Sequence, residues 1–411
     1  MCATSRNFKS RRAESGAALV VVLLLLALFA GLVADFLYNI RINTYLARNQ
    51  TDQARAQFVA QAGISASQGL LLHSRPFAKG GRSNFQNQYF NLFECKCFTS
   101  AGLGDAGTAL DSFQQDQQAQ SRNSGLSAGL DEQLVNTDCG EWSLVIDYPL
   151  GEDTLHLVIS DEQARLNLNG LVKKGLNPQE QGAAENEEFK PVVAELLALK
   201  LKELGMNVNQ EELSGLVDLM VDWEDYGQVS GSIDHDQNQS FQDGDLVYSN
   251  KNGPMDTVSE LKMIPGINDE IYYAVKDFFT VYPMNIDTGQ PLWKVNTDMA
   301  SLAVIYALVR GSSYQADKPG ISEEEAMDAA RKIVESGIDE KGFIKSREIP
   351  AELKNKLNPA NFILNPDVAQ YRWYHIISTA LTPSGINYTI EAVVMVKPDG
   401  KSLRFVYWRE G

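Results

Sequence analysis

The stretch AALVVVLLLLALFAGLVA, residues 17–34, is the one apolar run in the sequence long enough to matter to a bilayer. A helix of this run is ~27 Å long at ~1.5 Å per residue, close to the ~30 Å hydrocarbon core of a membrane. The short segment in front of it is basic, with Arg6, Lys9, Arg11 and Arg12. This pattern predicts membrane insertion with the first residues left in the cytoplasm.

Three kinds of segment share this pattern: a secretory signal peptide, a plain signal anchor and a prepilin-type signal. A signal peptide is cleaved after its apolar run, where Leu28–Gly31 offers small residues, whereas a prepilin signal is cleaved before it, after a glycine such as Gly16. The chain then continues without proline to Leu72, and one face stays apolar through Phe58, Ala62, Ala66 and Leu70. Residues 17–72 therefore predict one continuous helix of ~84 Å, half in the membrane and half bracing a folded domain.

This N-terminus resembles that of the type IV pilin and pseudopilin superfamily, in which prepilin peptidase would cleave after Gly16 and leave Ala17 as the first mature residue. The typical member carries a glutamate at its fifth mature position, where this chain has Val21. The lack of that glutamate is a feature of the K-type minor pseudopilins of type II secretion. A subunit with nothing stacked above it has no neighbouring ammonium to neutralise, so the valine agrees with a place at the top of a filament.

The composition is that of a globular protein with room for two or three domains, at 411 residues, 44% hydrophobic and 22% charged. The formal net charge is −17, and the leader carries +3, so cleavage after Gly16 would leave −20. Such an acidic body repels nucleic acid and anionic lipid headgroups. We therefore expect no nucleic acid among its partners.

Four cysteines are present, of which Cys2 lies in the leader. The spacing of Cys95, Cys97 and Cys139 does not match a zinc finger, and we expect a disulfide from Cys139 to either of the other two, with one thiol left over. Three unpaired cysteines are the alternative. The surrounding residues 73–140 are polar and repetitive, which predicts a long surface insertion.

Beyond this insertion the predicted order is strands, helices and strands again. Residues 142–160 alternate as a hairpin, residues 371–408 as a three-stranded meander, and the periodicity between them is helical. The sequence thus predicts an α+β fold, in which a long N-terminal transmembrane and spine helix packs on an antiparallel pseudopilin sheet and a large all-α domain is inserted between strands. The predicted boundaries are 1–16 for the leader, 17–72 for the helix, 73–140 for the insertion loop, 141–171 for the first part of the sheet, 172–365 for the helical domain and 366–411 for the last strands.

The segment SDEQARLNLNGL, residues 160–171, follows the hairpin. Asn167 and Asn169 are suited to bond backbone groups where a strand ends and helices begin. The segment closely resembles the one with which K-type pseudopilins leave their sheet. We expect it to connect the sheet to the inserted helices.

Two acidic stretches in the helical part suggest a bound cation. LVDLMVDWEDYG, residues 216–227, resembles the acidic box of K-type pseudopilins, although Glu224 stands at a usually apolar position. DHDQNQSFQDGD, residues 234–245, alternates oxygen-bearing side chains as Ca²⁺ sites do, but it lacks the glycine and the final glutamate of an EF-hand. The alternative is a solvated acidic loop. Because the family carries structural calcium here, the resemblance implies calcium ligands among Asp222, Asp225, Asp234, Asp236, Asn238, Asp243 and Asp245.

Two further segments match elements of the same family. SELKMIPGINDEIYYAV, residues 259–275, resembles a helix-hairpin-helix, but the acids that follow its hairpin argue against DNA binding, and we expect a packing unit. KVNTDMASLAVIYAL, residues 294–308, matches a segment in which Asn296 and Thr297 are expected to cap a helix that begins near Asp298.

The sequence does not predict an enzyme. Asp287-Thr288-Gly289 spells the aspartic-protease triplet, but it lacks apolar strands around it and a second aspartate lobe. None of the four histidines lies in a metalloprotease motif, and no glycine-rich phosphate loop follows a strand.

The order of these segments resembles the K-type minor pseudopilins over most of the chain. The resemblance implies a single-pass inner-membrane protein whose folded part lies in the periplasm, and which caps and initiates the pseudopilus tip during export of folded proteins across the outer membrane. Its implied partners are the I-type and J-type minor pseudopilins, the major pseudopilin and prepilin peptidase. The alternatives are a minor pilin that primes a type IV pilus and a signal-anchored periplasmic enzyme or binding protein.

Overall fold

The computed structural model describes residues 12–73, 93–95, 142–174, 184–224, 240–243, 246–286, 288–313, 320–337, 347–354, 356–358, 361–363, 371–397 and 401–411. These residues form a long N-terminal helix, a six-stranded sheet, and a mainly helical body that lies between two strands of the sheet in the sequence. The predicted α+β fold is confirmed.

Helix α1 spans Arg12–His73 without a proline, so its 62 residues extend over ~93 Å. Its apolar side chains from Leu19 to Leu46 are exposed. Among the described residues it is the one helix long and apolar enough to cross a membrane. A single N-terminal span is what the sequence predicts, and the helix continues beyond that span as a spine.

The large sheet has six strands, and every neighbouring pair is antiparallel. The hairpin turn after the second strand has Gly151 at φ 72°, and the turn in the C-terminal meander has Gly385 at φ 83°, where glycine has no Cβ penalty. In their order across the sheet, the strands are β1 Phe93–Cys95, β2 Trp142–Leu150, β3 Asp153–Asp161, β12 Arg372–Leu381, β13 Asn387–Val396 and β14 Leu403–Glu410; β4 to β11 lie in the helical body.

The second half of α1 packs on one face of this sheet, where Ala56, Ala60 and Ile64 are buried against apolar residues of β3, β12 and β13. The approach is closest at Gly63, where an added Cβ would collide with the Ser378 hydroxyl of β12. That hydroxyl donates a hydrogen bond to the carbonyl of Ala60 at 2.8 Å. The glycine and the serine together set the distance between the helix and the sheet.

The helical body has its own core, built from buried apolar residues between Ala164 and Leu357. Its helices are α2 Lys190–Glu203, α3 Gln210–Glu224, α4 Asp269–Val275, α5 Leu302–Ser312 and α6 Glu323–Glu335. Short 3₁₀ helices span Glu162–Ala164, Leu168–Leu171, Val258–Met263 and Lys276–Phe278.

The body also contains short two-stranded ladders that the helical periodicity did not predict. Their strands pair as β4 with β9, β5 with β6, β7 with β8 and β10 with β11. The strands are β4 Leu166–Asn167, β5 Val172–Lys174, β6 Ala184–Glu185, β7 Ser240–Asp243, β8 Leu246–Ser249, β9 Phe279–Thr280, β10 Val295–Asn296 and β11 Phe362–Ile363.

Candidate functional site

The chain passes from the sheet to the helical body immediately after β3, and two asparagines make the connection rigid. Asn167 donates from Nδ2 to the carbonyls of Pro283 at 2.7 Å and Leu292 at 2.9 Å. Both bonds join residues more than a hundred positions apart, which a turn motif alone does not provide. The predicted role of this asparagine in binding backbone groups is confirmed.

Asn169 is more completely bonded. Its Nδ2 donates to the carbonyls of Met255 at 3.0 Å and Val281 at 2.8 Å, and its Oδ1 accepts from the Met255 amide at 2.7 Å. The neighbouring Gly170 packs so closely on Trp293 that a Cβ would collide with that side chain. The predicted role of Asn169 is therefore confirmed, and its hydrogen bonds hold the exit segment to distant parts of the helical body.

A buried cluster of charges lies next to this exit, at the top of β3 and β12. Glu162 is almost completely buried; its Oε1 accepts from the Thr280 hydroxyl at 2.7 Å and its Oε2 lies 3.3 Å from Arg165 Nη1. His375 of β12 places Nδ1 3.3 Å from the same Oε2 and Nε2 3.0 Å from Glu391 Oε1 of β13. Residues of the sheet and of the helical body thus share one polar cluster.

The charges in this cluster support one another. Burial alone would raise the pKa of Glu162, but Arg165 and His375 outweigh it and bring that pKa down to about 2. Burial alone would lower the pKa of His375, but the two carboxylates raise it to about 9. The hydrogen bond from His375 lowers the pKa of Glu391. His375 thus lies between two carboxylates, whose effect on its pKa outweighs both burial and the Arg165 guanidinium, with Nη1 2.8 Å from Nδ1.

Asp161 makes a second link at the same place, and this link corrects one prediction. Its Oδ2 accepts from Asn296 Nδ2 at 2.6 Å and its Oδ1 from the Gln163 amide at 2.8 Å. Burial outweighs these bonds and raises the pKa of Asp161 to about 6. Asn296 was predicted to cap a helix, but it lies in β10, and α5 begins later, where Ser301 Oγ accepts from the Val304 amide at 3.2 Å.

The C-terminal end of α3 carries a different kind of buried acid. Glu224 is completely buried, and neither of its carboxylate oxygens has a hydrogen-bond partner within the described part of the chain. The acid beside it, Glu260, is well bonded: Trp223 Nε1 donates to it at 3.0 Å and Lys251 Nζ at 2.9 Å. An unpartnered buried carboxylate is expensive unless a proton or a cation neutralises it.

Most of the predicted calcium ligands fall outside the described residues. Asp222 is half-buried at the end of α3, and its carbonyl accepts from Asn250 Nδ2 at 2.9 Å. Only the backbone of Asp243, in β7, is described. In the ranges that the structure covers, no group of three His, Cys, Asp or Glu residues is arranged to hold a metal. The ligands that lie outside those ranges are Asp225, Asp234, Asp236, Asn238 and Asp245.

Glu224 was not among the predicted ligands, although the sequence contained a signal for it. It is an acid at a position where the resembling family has an apolar residue. The structure shows that this position is fully buried, as an apolar residue would be. Its two unpartnered oxygens fit a cation held at the end of α3, because hard cations such as Ca²⁺ bind carboxylate oxygen.

The other predicted site residues lie near the N-terminus and in the long insertion. Gly16 and Ala17 lie within the backbone of α1, and Val21 is exposed on that helix. Cys95 ends β1 opposite Trp142, while Cys97 and Cys139 lie outside the described residues. Nothing in the structure tests the disulfide or the cleavage site.

The predicted helix-hairpin-helix is built as a packing unit. Its hairpin turns at Gly266 with φ 91°, and Leu261, Ile264 and Ile271 are buried in the core of the helical body. Lys262 donates to a neighbouring aspartate, Asp269, at 2.6 Å. The lysine beside the hairpin is therefore part of an ion pair.

An apolar N-terminal helix that continues as a spine across an antiparallel sheet, with a helical body inserted between two strands, is the arrangement expected from the resemblance to pilin-like minor pseudopilins. Residues 164–284 match the family model described as "Type II secretion system (T2SS), protein K". The matched residues run from the exit segment into the helical body and make up less than half of the chain. That family is a class of secretion proteins and not a known class of enzymes.

A solved structure of the same kind also resembles the chain. It is described as the crystal structure of the GspK-GspI-GspJ complex from the enterotoxigenic Escherichia coli Type 2 Secretion System. The similarity has a TM-score of 0.41 and 14% sequence identity, and covers 67% of this chain and 84% of the other. No curated protein sequence matches the chain.

Proposed function

We propose that this minor pseudopilin caps and initiates the pseudopilus tip together with the I-type and J-type minor pseudopilins, for export of folded proteins across the outer membrane. The major pseudopilin then continues the filament below it. The position of the helical body supports this proposal most directly. It is attached at the end of the sheet that lies away from the apolar half of α1.

The contacts along β3 indicate at which end of the sheet the helical body is attached. The strand begins at Asp153, which binds Arg55 of α1 at 2.8 Å where the helix first meets the sheet. It ends at Asp161, in the junction with the helical body. Nine strand residues extend over ~30 Å. A body held rigidly at that distance obstructs the addition of another pilin-like subunit beyond it, as a cap must.

Co-purification tests this assembly. The full-length protein in detergent should form a stable complex with purified I-type and J-type minor pseudopilins, and deleting its gene should reduce pseudopilus formation in cells that overproduce the major pseudopilin. Failure to bind both partners would reject the proposal. Binding to minor pilins of a type IV pilus instead would favour the first alternative, which the family match does not support.

The N-terminal helix supports removal of residues 1–16 by prepilin peptidase, with the helix left in the inner membrane and the folded part in the periplasm. N-terminal sequencing of the mature protein should begin at Ala17. A chain that begins after Ala30, or an unprocessed chain, would contradict this. A Gly16→Leu variant should remain unprocessed, whereas Gly31→Leu, also in α1, should be cleaved normally.

A structural calcium ion at the end of α3 is a second part of the proposal, and the unpartnered oxygens of Glu224 support it. Asp222 and Glu224 are the ligands that the described residues offer. Saturating calcium at about 100 times its Kd would stabilise the protein by about 2.7 kcal/mol. The full-length protein should therefore melt at a lower temperature with a chelator than with Ca²⁺, while Mg²⁺ should restore little. An unchanged melting temperature would reject the site.

A further inference from the structure

Both edges of the large sheet are open over most of their length within the described residues. β1 pairs with the first three residues of β2 at one edge. At the other edge, β14 pairs with β13 on its inner side, and within the described residues no strand lies on its outer side. An edge strand of eight residues presents a row of unpaired backbone groups.

The register identifies which backbone groups face outward. Thr389 and Gly411 exchange both of their N–H···O bonds, at 2.8 and 3.0 Å. In an antiparallel pair such hydrogen-bonded pairs alternate with pairs that do not exchange bonds. Trp408 opposite Ala392 and Glu410 opposite Ile390 are therefore pairs of the second kind. Their N–H and C=O groups point away from β13.

Two exposed side chains on this edge are apolar, and the larger of them is held in place by its neighbours. Val406 is 39% exposed and Trp408 is 42% exposed. Trp408 stacks edge-on against Phe405 with ring centroids 5.3 Å apart, and its indole N–H donates to Glu410 Oε1 at 2.8 Å. The other oxygen of Glu410 accepts from the Tyr388 hydroxyl at 2.6 Å. A tryptophan fixed in this way loses little entropy when it is covered.

The charge of this edge is opposite to that of the chain. Residues 401–410 contain Lys401, Arg404 and Arg409 against Glu410, a net charge of +2, whereas the whole chain carries −17. The strand contains no proline, which would block pairing. A segment that covers this edge and suits its charge is therefore acidic as well as apolar.

We infer that the outer edge of β14 receives an extended acidic and apolar segment of another minor pseudopilin as a seventh strand. The added strand would exchange hydrogen bonds with the backbone of Trp408 and Glu410, pack an apolar side chain on Trp408 and place carboxylates near Arg404 and Arg409. This inference rests on the proposed assembly with I-type and J-type partners and specifies the surface that one of them uses.

Two variants test the edge in the full-length protein. Trp408→Pro removes an outward N–H and the exposed ring without removing a bond to β13, and Arg404→Glu reverses an exposed charge. Each should weaken binding to the purified I-type and J-type partners about tenfold or more. Tyr148→Ala, which truncates an exposed aromatic on β2 near the opposite edge, should bind as the wild type does.

A cross-linking experiment gives a readout that does not depend on tolerance of proline. A photo-reactive amino acid at Val406 should cross-link to a partner subunit, and the same group at Tyr148 should not. If the wild type binds its partners but both β14 variants bind equally well and Val406 forms no cross-link, the edge inference is wrong and the assembly stands. If the wild type itself does not bind, the proposed assembly fails, and the edge inference fails with it.

Discussion

Glu162 and Glu224 are both completely or almost completely buried acids, and they lie in opposite surroundings. Glu162 has a hydroxyl, a guanidinium and an imidazole within 3.3 Å, and its pKa falls to about 2. Glu224 has no hydrogen-bond partner among the described residues. The difference teaches that burial by itself does not define the role of an acid. One acid fastens two parts of the fold, whereas burial raises the pKa of the other well above its ordinary value.

The largest effect should come from removing the acid of the junction. Glu162→Ala leaves Arg165 and His375 buried without their shared carboxylate, and we expect a loss of about 3–5 kcal/mol in the free energy of unfolding, measured by urea denaturation of the full-length protein in detergent. Glu152→Ala removes an acid that is 78% exposed and should cost less than 1 kcal/mol. Equal effects of the two substitutions would show that Glu162 does not stabilise the junction between the sheet and the helical body.

Removing Asn169 should be nearly as costly. Asn169→Ala deletes three hydrogen bonds and leaves the buried backbone groups of Met255 and Val281 unsatisfied, so we expect a loss of about 3 kcal/mol. The matched control is Asn387→Ala, at an exposed position at the start of β13, which should change stability by less than about 0.5 kcal/mol. Thermal and urea unfolding of both variants measure the difference.

The pH dependence of stability should report His375. Its pKa is raised to about 9 in the folded protein, so its contribution is complete below the unfolded pKa of about 6.5 and is lost as the pH rises through 9. Between pH 7 and 9.5 the free energy of unfolding should fall by about 2 kcal/mol. Asp161, with its pKa near 6, has finished titrating at the start of that window.

His375→Gln provides the control for this pH effect. The amide does not titrate, so the variant should be less stable at pH 7 and should lose much less stability than the wild type up to pH 9.5. If both proteins have the same pH profile over this range, the imidazole does not carry a charge in the folded state.

The smallest effect should come from Glu224. Glu224→Leu replaces an unpartnered buried carboxylate by an apolar group of similar size, so the chelated protein should gain about 1 kcal/mol in stability. The same variant should gain little from added Ca²⁺, if the carboxylate is a ligand. Asp256→Asn, which changes an exposed acid nearby, should leave the calcium response intact. A calcium response equal to that of the wild type in Glu224→Leu would remove Glu224 from the site.

The sequence predicted the parts of the fold that depend on local pattern. The apolar run and the lack of proline predicted α1, alternation predicted the hairpin and the meander, and the two asparagines after β3 were identified by their chemistry. The charge cluster was not predicted, because Arg165 and His375 meet across 210 positions and no periodicity relates them. Asn296 was misplaced for the same reason, since its partner Asp161 lies 135 positions away.

The insertion of the helical body between β3 and β12 also has a consequence for how the chain folds. β3 is synthesised long before β12, its partner in the centre of the sheet, so the β2–β3 hairpin has an open edge until the whole helical body has been made. Pairings so distant in sequence close slowly, because a long loop must be ordered first. The helical body has its own core, so once it is packed it holds the ends of β3 and β12 close together. The junction cluster, which contains residues of both strands and of the body, can form only in the last step.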